Sequence, residues 1–474
     1  MDRRKLEALE KSQLIDIILL MTEEIKTLTA KVAELEGRLN TNSRNSSKPP
    51  SKDGFDIPTL KSLRTKSDKK PGGQKGHKGV GLKLERAPDE VIEHRAEYCQ
   101  TCGMDLNGVS CICVKTSNVI DFQVEVRIVA HHQMKSICPA CGTANTGEMP
   151  KEASHSMVYG SGLRAFVVLL SNFACVGMKK ISTILSNVFR VSLSTGTIAN
   201  INAGFAKNSV PILREIQSKM LSSPLLHKDE SGMNMNGKNW WIHTSSTLEL
   251  TYITAHPKRG KEGIDDNGML DEYTGILVHD FWTSYFRYEQ CLHAMCNAHL
   301  LRELNWVTDN TPQKWASRMC ALLCEMKRVK EEYLESEKFE LSRYYVNKFS
   351  LEYANIIALG ETEAPRNQTS RKQTKTRNLL ERFINYQDEI TLFAYNFNVP
   401  FDNNLAERDI RNAKVKQKVS GAFRSDVGIE NFAKTSSIIG TAIKQNLSVF
   451  DTIKGIIVGS VSSLFHKKMG VTEQ

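Results

Sequence analysis

Residues 222–281 constrain the fold more than any other part of the chain. SPLLHKDES, KNWWIHTSS and LELTYITAH read as three successive β-strands with short turns, KEGIDDNGML as a helix, and YTGILVHDF as a fourth strand. Asp229 falls late on the first strand and Asp280 closes the fourth. A β-β-β-α-β order with an acid at each of these places brings two carboxylates together at adjacent strand ends.

Two carboxylates sharing a pocket repel each other and raise one pKa unless divalent cations neutralise them. Two hard cations about 3.5–4 Å apart can activate a hydroxyl nucleophile and stabilise the leaving oxygen of a phosphodiester. That chemistry asks for a third acid. Glu407, in FDNNLAERDIRNAK, is the candidate, on a helix for which Asp402 is the expected N-cap. The alternative for Glu407 is an i,i+4 ion pair with Arg411, which stabilises a helix by roughly 0.3–0.5 kcal/mol.

The N-terminus has a different period. Leu14, Ile18, Met21, Ile25, Leu28, Val32, Leu35 and Leu39 follow a 4,3,4,3 spacing, which places all eight on one seam of a helix. Such a helix cannot bury its seam alone, so a self-associating coiled coil is expected over residues 1–42, and with it a homo-oligomer. Pro49 and Pro50 end it. Residues 43–90 are polar and basic, including KKPGGQKGHKG, and read as a flexible arm able to lie along DNA.

CQTC (Cys99, Cys102) and CPAC (Cys138, Cys141) stand thirty-five residues apart, each followed by a glycine. Four thiolates at this spacing can close a tetrahedral zinc site; two disulfides are the competing arrangement. SNVIDFQVEVRIVAHHQMKS between them alternates like a β-hairpin, so residues 91–150 are expected to form a zinc ribbon, in which Cys111 and Cys113 could join the ligand set. Residues 151–220 turn helical and contain a helix-turn-helix-like unit: Ile181, Ile184, Leu185 and Val188 form a first apolar face, VSLS a turn, and Thr195 the N-cap of a second helix.

With 474 residues, the chain is long enough for two to four domains. No apolar run reaches the roughly 20 residues of a membrane-spanning helix, and MDRRKLEALE is followed by mixed charges, so a cytoplasmic protein without a membrane partner is expected. The net charge of +10 is unevenly placed: residues 43–86 hold twelve Lys or Arg against four acids. Arg408–Lys418 hold five cations against Asp409, and Pro365–Asn378 five against none. Three such runs favour a phosphate backbone as partner over an anionic membrane.

The ordered motifs NSSKPPSKDG, GGQKGHKG, the paired CxxC, LSTGTIANI, HKDES, VHDFWTSY, CNAHLLREL, NNLAERDIR and SGAFRS resemble the large transposase of the bacterial insertion-sequence family numbered sixty-six, over roughly residues 10–455. Lys75 stands where that family commonly has Pro, and Ser231 where Thr often follows the Asp-Glu pair. The resemblance implies a DDE transposase that binds element ends and target DNA and carries out Mg²⁺-dependent cleavage and strand transfer, with Mn²⁺ able to substitute and with structural Zn²⁺. The implied fold is a multidomain α/β one. An RNase H-like core (221–304 and 399–474) is interrupted by a helical insertion (305–398) and preceded by the coiled coil, arm, ribbon and helical domain. The implied catalytic and Mg²⁺-binding triad is Asp229, Asp280 and Glu407, with Cys296 and His299 of CNAHLLREL as active-site support, for which only two zinc-type ligands are evident. Arg408, Arg411, Lys414, Lys75, Lys78, Arg371 and Lys372 are the expected DNA contacts, and accessory proteins of the same element the expected further partners. The rivals are a non-catalytic zinc-ribbon and helix-turn-helix regulator, which leaves the acids unexplained, and an RNase H-like nuclease that cuts without joining.

Overall fold

A computed structural model describes residues 10–39, 41, 42, 45, 86–122, 125–150, 153, 155–368, 372–461, 463 and 464. The chain divides into two compact units, one made of Met1–Leu60 and His131–Gln474, the other of Lys61–Ala130. No helix among the described residues is long and apolar enough to cross a membrane.

In the Lys61–Ala130 unit, the CQTC turn is closed by Cys99 N–H donating to Met104 O (2.8 Å) and Gly103 N–H to Cys99 O (2.9 Å). The same turn recurs in the other unit, where Cys138 N–H donates to Thr143 O and Gly142 N–H to Cys138 O, both at 2.8 Å. Gly103 and Gly142 have φ of +72° and +70°, values a side chain would strain. The expected hairpin between the knuckles is not formed: the described residues of 117–134 contain no strand, and Val119, Ile120, Phe122 and Ile128 are exposed. Alternation alone gave those residues no packed face to lie on. The strands instead flank CPAC, β1 (Lys135–Ile137) pairing antiparallel with β2 (Ala144–Thr146).

Helix α1 (Lys11–Leu39) carries the heptad seam, and Ile18, Met21, Ile25, Leu28, Val32 and Leu35 are all more than half exposed. Helix α2 (Ser161–Val168) runs on through a π-helical turn, Leu169–Phe173. Helices α3 (Met178–Phe189) and α4 (Thr195–Asn208) form the two-helix unit, packed through Ile181, Leu185, Leu193 and Ile198. Two details differ from expectation. Val188 points outward, and the N-cap of α4 is Ser194, whose Oγ accepts from Thr197 N–H at 3.0 Å. Helix α5 (Val210–Leu221) leads into the sheet.

Strands β3 (Leu225–Met235), β4 (Lys238–Ser246), β5 (Thr251–His256), β6 (Ile276–His279) and β7 (Leu292–Met295) form one sheet in the order β5-β4-β3-β6-β7. The first three strands are antiparallel; β6 and β7 join parallel. Asn236-Gly237, both at positive φ, makes the tight β3–β4 turn that this dipeptide favours. Helix α6 (Lys261–Asp266) lies between β5 and β6 in sequence. Thus the expected three strands, helix and fourth strand are found, and β7 is a fifth that sequence reading passed over.

After β7 come α7 (Asn297–Asn310) and four further helices: α8 (Trp315–Glu335), α9 (Arg343–Glu363), α10 (Lys375–Asn385) and α11 (Gln387–Tyr395). On α8, Trp315, Met319, Leu322, Met326 and Val329 recur every three or four residues and bury one stripe against Leu304, Phe349, Phe383 and Phe393. Then α12 (Asn404–Ser420), α13 (Asp426–Lys444) and α14 (Val449–Val458) return to the sheet. Ile410 of α12 and Phe432 of α13 pack on Met233, Ile242 and Ile253, while Ile216 of α5 and Ile453 of α14 pack around Leu226 and Leu277. Ser437 Oγ and Thr441 Oγ1 accept from Ile253 N–H (2.8 Å) and Thr251 N–H (3.1 Å), so α13 closes the free edge of β5 against pairing with another chain.

Candidate active site

The parallel register of β3 and β6 pairs Leu225 with Ile276 and His227 with Val278. Asp229 and Asp280 each stand two residues beyond the last pair, and a strand's two-residue period carries both to the same face. Burial pushes the Asp229 carboxyl well above the usual range, and the nearby carboxylates of Glu230, Asp280 and Glu407 raise it further. Its Oδ1 accepts from Glu230 N–H at 2.9 Å, and Asp280 Oδ1 accepts from Trp282 N–H at 3.1 Å. Glu407 sits in the first turn of α12. Its Oε1 is buried with no hydrogen-bond partner and faces His299 Nδ1 at 3.8 Å. Glu407 makes no ion pair with Arg411 among the described residues; the helical spacing allowed that pair, but the carboxylate turns toward β3 and α7.

Asn403, which sequence reading missed, fixes the start of α12. Its Nδ2 donates to Lys228 O at 2.7 Å, its Oδ1 meets His227 Nδ1 at 2.8 Å, and its N–H donates to Cys296 Sγ at 3.2 Å. One buried residue therefore ties the Glu407 helix to the strand of Asp229, through its side chain, and to the β7–α7 junction, through its backbone N–H. It is also the N-cap residue in place of Asp402, whose Oδ1 accepts from Asn404 N–H at 3.1 Å. His299 Nδ1 lies 3.2 Å from Cys296 Sγ, so the CxxH residues and Glu407 adjoin.

Glu230 was also missed. Only 8% exposed, it accepts from Arg259 Nε at 2.9 Å and Tyr285 Oη at 2.6 Å. Arg259 lies over the Trp282 ring at 3.8 Å and the Trp241 ring at 5.0 Å, which holds a cation beside the acids at a fixed place. A cavity of about 180 Å³ opens next to Asp280, lined among others by Trp282, Cys296, His299, Glu303 and Arg382. Arg382, from α10, is held there by a bidentate ion pair with Glu303.

The cationic residues are dispersed. Arg408 and Arg411 are exposed on α12, and Lys414 Nζ donates to Gly232 O at 2.5 Å. Lys416 donates to Ser171 O at 2.6 Å, and Asp409 is held by Lys444 (2.6 Å), Ser246 and Thr251, so part of that charge run serves packing. Lys372 is exposed; Lys75, Lys78 and Arg371 lie outside the described residues. Of the knuckle cysteines, Cys99 is lowered by hydrogen bonds from the Cys102 and Thr101 backbone, and Cys141 by those from Thr143, so each turn favours the thiolate.

Fold and site together define a mixed α/β protein whose sheet brings carboxylates from β3, the end of β6 and α12 to one place. A family model described as Transposase IS66 family matches residues 156–431, more than half of the chain, and a family of unknown function matches residues 2–83. The chain belongs to the IS66 transposase family, and so to enzymes that act on DNA. No curated protein matches it.

Proposed function

We propose that this protein is a DDE transposase that binds the ends of a bacterial insertion sequence, cleaves them and joins them to target DNA. The observation that carries the reading is where three acids stand: Asp229 on β3, Asp280 just past the end of the parallel strand β6, and Glu407 in the first turn of α12. Asp280 and Glu407 are near enough to add to the burial and the Glu230 carboxylate that raise the Asp229 carboxyl. The strand order, three antiparallel strands followed by two parallel ones, supports an RNase H-like core, and α8–α11 fit the helical insertion ahead of the glutamate.

The donor set fits a hard divalent cation, since it is all carboxylate and leaves Glu407 Oε1 without a hydrogen bond. Bound there by Asp229, Asp280 and Glu407, Mg²⁺ (or Mn²⁺ in its place) would supply activation of the attacking hydroxyl and neutralisation of the leaving oxygen. Asn403 holds Glu407 in register with Asp229, and His299 faces its carboxylate from the α7 side at 3.8 Å. Arg259, stacked on Trp282, offers a guanidinium to a DNA phosphate near the acids. Arg408 and Arg411, with Lys414, Lys372, Lys75, Lys78 and Arg371, would hold the backbone of the DNA.

Cys99, Cys102, Cys138 and Cys141 are proposed as ligands of one structural Zn²⁺, supported by the identical turns of the two knuckles. The exposed apolar seam of α1 supports association with a second copy of the chain. The test of the central reading is Asp229→Asn, Asp280→Asn and Glu407→Gln. Each is expected to bind end DNA as the unaltered protein does and to lose strand transfer in Mg²⁺. Robust joining by any one of them removes that residue from the site.

A further inference from the structure

We infer that Cys296, His299 and Glu407 form a site for a thiophilic divalent cation, Zn²⁺ by class, that shares Glu407 with the proposed carboxylate site. Sequence alone offers two ligands here; the fold brings the third from more than a hundred residues away. The candidate ligand atoms of the three residues all lie within 4.8 Å of one another. His299 Nδ1 stands 3.2 Å from Cys296 Sγ and 3.8 Å from Glu407 Oε1. Around a tetrahedral zinc with bonds of about 2.3 Å to sulfur and about 2.1 Å to nitrogen and oxygen, the corresponding edges are about 3.6 and 3.4 Å. These two edges therefore differ from coordinating geometry by only about 0.4 Å each, and the sulfur–carboxylate edge, within 4.8 Å, has to close toward about 3.6 Å.

A second observation points to a ligand. Glu407 Oε1 is buried and accepts no hydrogen bond, although it faces a histidine and a thiol. An orphaned carboxylate oxygen in that setting is served by a cation. The mixed sulfur, nitrogen and oxygen set selects a borderline-soft ion over Mg²⁺, which prefers oxygen alone. Asn403 N–H already donates to Cys296 Sγ, an arrangement that steadies a metal-bound thiolate. On binding, the metal–sulfur bond replaces the S–H bond and the thiol proton leaves to solvent. Cys296 and His299 also line the cavity beside Asp280, so a fourth position would open onto it and could take a water or a phosphate oxygen.

The proposal does not depend on the acidic triad acting in strand transfer, and the experiment separates the two. The full-length protein is titrated with Co²⁺ in excess Mg²⁺, and bound metal is counted while thiolate-to-cobalt charge-transfer absorption is recorded. Cys296→Ser is expected to bind one Co²⁺ fewer per chain and to lose its share of that absorption, with the knuckle cysteines unchanged in both proteins. Glu407→Gln, which keeps the size of the side chain, is expected to weaken the same Co²⁺ by about tenfold or more, and it stands in should Cys296→Ser fail to fold. Asp280→Asn is expected to keep the site whether or not it joins DNA. Equal stoichiometry and an equal spectrum in Cys296→Ser, or undiminished affinity in Glu407→Gln, overturns the assignment.

Discussion

Asn403→Ala is the sharpest test of how the third acid is positioned. Asn403 is 1% exposed, and its amide spans two buried groups, Lys228 O at 2.7 Å and His227 Nδ1 at 2.8 Å. Truncation leaves both without that partner. A buried polar group so orphaned costs about 1–3 kcal/mol, so the loss should be roughly 2–6 kcal/mol. His227 cannot compensate by charging, because burial pushes its imidazole below the usual range. The kinetic effect should exceed what stability alone dictates. Glu407 N–H bonds to Asn403 O at 3.3 Å, so loosening residue 403 moves the first turn that carries the carboxylate. A displacement of about 1 Å at a reacting centre can lower a rate on the order of 100-fold. Urea unfolding gives the first quantity. Joining of a pre-cleaved DNA end in Mg²⁺, measured where the variant is folded, gives the second, with end binding by gel shift expected to be unchanged. Destabilisation below about 1 kcal/mol together with an unaltered joining rate would refute the positioning argument.

Two further outcomes follow from the structure. Lys228 is fully buried with Ser245 Oγ and Asn267 Oδ1 as neutral partners at 2.9 and 2.6 Å, and its ammonium is pushed from 10.5 down to about 7 by burial. The folded chain thus releases this proton near pH 7 while the unfolded chain keeps it to about 10.5, so stability rises with pH across that window. Lys228→Met should stabilise by roughly 1–4 kcal/mol at pH 6, since Ser245 and Asn267 keep each other at 2.8 Å, and the gain should shrink toward pH 10; an equal gain at both pH values contradicts the assignment. Cys138→Ser should lower the zinc content of the purified full-length protein, and identical content in the two proteins refutes the four-cysteine site.

Much of the sheet was legible because alternation and turn residues are local signals. β3 to β6 fall where the apolar periods end at Asn236-Gly237 and at the helix of 261–266. β7 was missed because four residues, LHAM, carry too short a period to register. The opposite error arose at 117–134, where an alternating segment lacks the face that would make it a strand. Site residues divide in the same way. Asp229 and Asp280 were readable from their places at strand ends. Glu407 in isolation is one carboxylate among cations; the need for a third acid made it a candidate, and the family motif then pointed to the same residue. Asn403 gave no sequence signal because its partners Lys228 and His227 are about 175 positions away. Glu230 and Arg259 gave no signal for a similar reason: they stand twenty-nine positions apart, and only the fold sets the buried Glu230 against the partly exposed Arg259.

The proposed insertion raises the question of how a carboxylate that follows some ninety residues of mostly helical chain can be held to the tolerance the proposed reaction needs. Loop closure is a weak obstacle, because its entropic cost grows only with the logarithm of length. Exit and return are what must be fixed, and both are bound to the same few residues. Asn297, at the start of α7, donates from its backbone N–H to Phe401 O at 3.0 Å and from Nδ2 to Ile390 O at 3.0 Å. Lys330, buried within α8, donates to Phe393 O at 2.9 Å and Val399 O at 2.6 Å, and burial pushes its ammonium down to about 8. A buried lysine spent on two carbonyls would be costly in an ordinary core. Here it clamps the segment between α11 and α12 to the middle of the insertion, immediately ahead of Asn403. The insertion is therefore part of what sets the position of Glu407, and Arg382, brought from α10 to the cavity beside Asp280, shows the same helices reaching the site directly.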